Sequence, residues 1–144
     1  VPFRSPRTAL NDEIVLNGPG VNIPTVSVTR YPYPEYHTSA ATPAILSEAQ
    51  LTAAVDYLER VVRIAAMDWI PRRTFTGPLH LSRYGLWQDW RTHPKQNAAM
   101  EQIMLLLEGD LSIFDISQRV DLTFEETYAL VEQLREHGLV TEAA

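Results

Sequence analysis

The sequence predicts an α/β chain in two parts: a proline-rich stretch of loops, short strands and one long helix, then a small helical unit with an extended tail. Three observations carry this expectation. Seven of the ten prolines lie in the first 43 residues, and proline fixes φ and removes a backbone donor, so no long helix fits there. One apolar stripe runs for five turns from Leu51 to Ala65. Three shorter helical segments crowd the last fifty residues, each with start or stop signals.

Taken in order, residues 13–16 read as a first short strand, followed by an Asn17-Gly18-Pro19-Gly20 turn. Residues 23–30 read as a second strand, with Val26 and Val28 facing one way and Thr25, Ser27 and Thr29 the other. Arg30-Tyr-Pro-Tyr-Pro-Glu-Tyr-His37 has no period and reads as a stiff aromatic loop. The long helix begins at Ser47, where Ser47-Glu-Ala-Gln50 spells a capping box. Leu51, Ala54, Val55, Leu58, Val61, Val62 and Ala65 form its apolar face, and it ends near Met67 before Trp69-Ile70-Pro71. Residues 77–87 read as a strand with its connections, because Leu79 and Leu81 alternate with His80 and Ser82.

Pro94 suits the first turn of a helix running to Leu107, and Gly109 stands where a left-handed cap is wanted. A shorter helix follows the Ser112-Ile-Phe-Asp115 start signal, and a third follows the capping box Thr123-Phe-Glu-Glu126 and stops at Gly138. Phe124, Tyr128, Val131 and Leu134 give that third helix its core face, and residues 139–141 are extended. Three helices with a tight middle turn and a trailing strand outline a winged helix-turn-helix. The expected division is therefore 1–68 and 69–144.

Composition narrows the function classes. At 144 residues, 45% apolar and 21% charged, the chain has the balance of a folded domain. It contains no cysteine, which excludes disulfide scaffolds, thiolate zinc fingers and cysteine nucleophiles. Its longest strongly apolar run, residues 103–107, is far short of the roughly twenty residues of a membrane span. Net charge is −6, and residues 95–144 carry three basic residues against ten acids. The helix that would enter a DNA groove bears Glu125, Glu126, Glu132 and Glu136 with one arginine. Phosphate neutralisation needs the opposite balance, so neither nucleic acid nor a membrane is an expected partner.

Of the four histidines, His80, His93 and His137 have ordinary packing, capping or surface readings. His37 lies instead on the proline-stiffened loop Tyr33-Pro-Glu-Tyr-His-Thr-Ser39, after a strand-like segment. A metal ligand must be held rigidly, and Thr38 and Ser39 can orient neighbouring ligands. On its own, a single histidine is more readily a solvated loop residue than a ligand. No His-Glu-x-x-His helix, P-loop or Gly-x-Ser-x-Gly elbow occurs in the sequence.

Asn17-Gly-Pro-Gly-Val-Asn-Ile-Pro-Thr25, Arg30-Tyr-Pro-Tyr-Pro-Glu-Tyr-His-Thr-Ser39 and Leu81-Ser-Arg-Tyr-Gly-Leu86 resemble a bacterial family of zinc aminopeptidase-like proteins, domain-of-unknown-function family 4910, with a C-terminal winged helix. Tyr36-His37-Thr38 resembles the last metal-ligand motif of the di-zinc aminopeptidases. The resemblance implies that His37 is a zinc ligand, and that Tyr33, Glu35, Tyr36, Thr38 and Ser39 orient it or line a substrate cleft. It also implies that the long helix closes the aminopeptidase-like domain and that the chain is the C-terminal portion of a longer protein. No catalytic residue is carried over, because the family's glutamate base and bridging aspartate have no counterpart here.

One departure is Ala41, where the family loop carries an aspartate. Loss of such a supporting carboxylate weakens metal affinity by about ten- to a hundredfold. The implied parent is a cytoplasmic zinc hydrolase in which metal-activated water attacks the amide of a peptide or small molecule. The isolated chain is expected to be inactive, since catalytic zinc needs three or more protein ligands. The competing expectation is a non-catalytic interaction module, binding a protein partner or a second copy through the acidic winged helix.

Overall fold

The computed structural model describes residues 12–29 and 32–143. The chain divides into two compact units, Val1–Ser47 and Glu48–Ala144. It is predominantly helical with one two-stranded antiparallel sheet, in keeping with the coarse α/β expectation.

In the first unit, Glu13–Leu16 is a helical turn, α1, and not the expected strand. Val15 and Leu16 both donate to the Asp12 carbonyl, and Asn17 donates to that of Glu13. Residues 23–29 form no strand either. Among the described residues no strand pairs with the alternating Val26 and Val28, and both side chains are exposed. Asn17 fixes this segment instead: its side-chain amide donates to the Thr25 carbonyl at 2.7 Å and accepts from the Thr25 amide at 3.0 Å. A side chain thus replaces one rung of a β ladder. A 3₁₀ turn at Pro43–Ile45 completes the unit.

The second unit opens with the long helix α2, Glu48–Met67, within one residue of its expected bounds. Its stripe is not covered: Leu51, Val55, Leu58, Val61 and Val62 are all exposed, Val55 by 62%. The strand expected over residues 77–87 is absent; that stretch holds a 3₁₀ turn, Leu81–Tyr84, ended by Gly85 at φ 70°. The strand lies earlier, as β1, Pro71–Arg73. It pairs with β2, Val140–Glu142, in the register Pro71 to Glu142 and Arg73 to Val140. On its other edge Arg73 donates to the Leu107 carbonyl and Arg72 bridges to Glu108.

The remaining helices follow the sequence closely. They are α3 (Pro94–Leu106), α4 (Ile113–Val120) and α5 (Phe124–Glu136). Gly109 adopts φ 87°, the left-handed region that favours glycine; a Cβ there would also displace the flexible end of the Arg72 side chain. The capping box expected at Thr123 forms with Glu126, and the start signal at Ser112 proves to be a capping box as well, with Asp115. Phe124, Val131 and Leu134 enter the core as anticipated, Tyr128 is half-buried, and Thr127 and Leu130 join them. The core is completed by Met100, Ile103, Leu107, Ile113 and Ile116, all essentially inaccessible.

Candidate metal-ligand loop

Residues 33–42 form a chain of tight turns. Tyr36 donates to the Tyr33 carbonyl, Thr38 to Glu35 and Ala41 to Thr38, each at 3.1–3.2 Å. The Thr38 hydroxyl staples the middle of the loop, donating to the Glu35 carbonyl at 2.8 Å and accepting from the Ala40 amide at 3.2 Å. Thr38, expected to support a neighbouring ligand, therefore shapes the backbone around His37.

His37 itself has φ 60°. The left-handed region is uncommon for any residue with a Cβ, although histidine enters it more often than most. Among the described residues only Asn22 and Asp121 share this property without being glycine. Asp121 ends α4, and Asn22 follows the Gly18-to-Gly20 turn, so both stand at ordinary turning points. His37 too stands at a turn, as the third residue from Glu35 to Thr38, and its imidazole is exposed on the stapled loop. The Tyr36 ring packs edge-on to it, with centroids 4.0 Å apart and planes at 61°, and Tyr33 lies 5.6 Å beyond.

Of the other expected loop residues, Glu35 is half-buried, and Tyr33, Tyr36 and Ser39 are exposed. Arg30 and Tyr31, at the start of the aromatic loop, lie outside the described residues. Among the described residues no group of three His, Asp or Glu side chains comes together in a way that could hold a metal. The donors on this loop are the exposed His37 imidazole and, two residues before it, the half-buried Glu35 carboxylate.

The remaining histidines have ordinary settings. His80 is exposed. His93 precedes α3 without capping it through its side chain, and its Nδ1 lies 2.9 Å from the Thr92 hydroxyl. His137 follows α5 and packs edge-on against Tyr84.

Sequence reasoning did not anticipate the role of Asp68. Its carboxylate accepts a hydrogen bond from the Phe114 amide, 46 residues away, at 2.9 Å. A contact at that separation leaves no local pattern to read. Among the described residues no helix is long and apolar enough to cross a membrane.

No curated protein and no solved structure matches the chain. Residues 4–68 match the family model described as Domain of unknown function (DUF4910), a span that ends where α2 meets the helical unit and that supports the DUF4910 family for this segment.

Proposed function

We propose that residues 1–68 are the closing portion of a zinc aminopeptidase-like hydrolase domain, in which His37 supplies one metal ligand. Residues 69–144 are, on this reading, an appended winged helix-turn-helix. The observation that carries it is the left-handed backbone of His37 on a loop stapled by Thr38. The Glu35-to-Thr38 turn holds a bulky side chain in the left-handed region, and non-glycine residues so held cluster at functional sites. The exposed α2 stripe supports the same reading, because a helix with one apolar face is built to lie on a larger body.

Each residue of the loop has a defined part. His37 holds the metal through a ring nitrogen, Tyr36 limits rotation of the imidazole, and Thr38 keeps the turn closed. Tyr33 and Glu35 face the cleft in which a peptide or amide substrate lies. Zinc, when bound at such a site, supplies Lewis acidity toward a carbonyl and lowers the pKa of water. The other ligands and the general base come from outside this chain.

The test is to produce protein from the complete reading frame containing this chain, with and without His37→Ala. Zinc content and hydrolysis of free-amine peptides are then measured side by side. Both fall to background in the variant if the assignment holds; a variant that keeps its zinc and its activity removes His37 from the site.

A second reading, a non-catalytic interaction module, is favoured by Trp87 and Trp90, which are 54% and 60% exposed in the helical unit. Exposed tryptophans are common anchors at protein interfaces. If Trp87→Ala and Trp90→Ala abolish capture of a partner while the complete protein lacks zinc, this reading replaces the first.

A further inference from the structure

The end of α2 is joined to the helical unit without any hinge. The Asp68 amide continues the helix by donating to the Ile64 carbonyl at 2.8 Å. The next three contacts come from three consecutive residues. The Asp68 carboxylate accepts from the Phe114 amide, the Trp69 carbonyl accepts from the Ile113 amide at 3.0 Å, and the Ile70 carbonyl accepts from Ala143 at 2.8 Å. The Arg135 guanidinium lies 5.0 Å over the Trp69 ring, and Ile64 and Trp69 both pack against the core.

The chemistry of α4 explains why these contacts form. The first amides of a helix have no partner within it, and the N-terminus carries partial positive charge. The amides of Ile113 and Phe114 are satisfied by Trp69 and Asp68, just past the end of α2, while those of Ser112 and Asp115 are satisfied within the capping box. Flexible linkers have the opposite character, with small polar residues bonded to solvent.

We propose that Asp68, Trp69 and Arg135 form a clamp through which the helical unit fixes the direction of α2. The unit serves as an orienting brace for α2, and any partner that shifts α4 or α5 moves α2 with them. This inference does not depend on zinc at His37, and its test reads orientation, not activity.

The experiment is residual dipolar coupling and amide exchange on the full chain. In the wild type, amides of residues 55–67 and of residues 113–134 should fit one alignment tensor. Asp68→Ala should speed exchange of the Phe114 amide by about two- to thirtyfold, the range for a lost N-cap, and should separate the α2 tensor from that of the unit. Asp68→Asn, which keeps an acceptor oxygen, should restore a common tensor, and Arg63→Ala on the exposed face of α2 should change neither reading.

Separate tensors in the wild type would overturn the clamp, and that measurement needs no variant to fold. Faster Phe114 exchange in Asp68→Ala with α2 still aligned would reduce Asp68 to a cap and overturn it as well. So would an Asp68→Ala chain unchanged in both respects.

Discussion

The segment from residue 12 to residue 67 and the segment from residue 71 to residue 143 are both rich in apolar residues, but they use them differently. In the second, fifteen hydrophobic residues from Leu86 to Val140 share one closed core. In the first, no described residue is buried, although Ile14, Val26, Leu46, Leu51, Val55 and Leu58 are all available. Apolar periodicity specifies a helix, whereas burial needs a second surface. In residues 71–143 that surface lies within the segment; the α2 stripe stays exposed.

The largest test of this contrast is in the core. Leu134 is fully buried, and Leu134→Ala should lower the unfolding free energy by about 2–5 kcal/mol, read from denaturant midpoints at unchanged slope. A cap comes next. Ser112→Ala removes the acceptor for the Asp115 amide and should cost about 1 kcal/mol, measured the same way.

A subtler effect concerns pH. The Thr123 amide and hydroxyl both donate to the Glu126 carboxylate at 2.9 Å, and these bonds hold its pKa below the ordinary glutamate value. A lowered folded pKa gives stability that is present above the unfolded value and is lost as pH falls through the folded one. Stability of the wild type should therefore decline on acidification through the carboxylate range more than that of Glu126→Gln, and the two curves should converge at low pH.

The smallest effect is the most diagnostic. Leu58 is 45% exposed on α2, and Leu58→Ala should change stability by less than about 0.5 kcal/mol, as surface substitutions do. A loss comparable to that of Leu134→Ala would show the α2 stripe to be covered in solution and would erase the contrast.

What the sequence made legible follows the same physics. Ser112, Thr123 and Pro94 act within a few residues of themselves, so the helix starts they set could be read directly. Strands could not. Residues 23–29 alternate well but pair with no strand among the described residues, while Pro71–Arg73 does not alternate at all and pairs because β2 is brought beside it. The loop at His37 was legible as stiff and aromatic from Pro32 and Pro34. Its left-handed turn and the Thr38 staple were not, since both depend on backbone angles that several residue types can adopt.

The pairing of β1 with β2 has a topological consequence. It brings the point where the chain enters the helical unit next to the point where it leaves, within one hydrogen bond between Ala143 and Ile70. Adjacent ends make a fold tolerant of being reconnected and opened elsewhere. A circular permutant that joins those ends through a short linker and opens at the exposed Trp90-Arg91 turn should therefore keep the same core, with its first and last residues at the foot of α3.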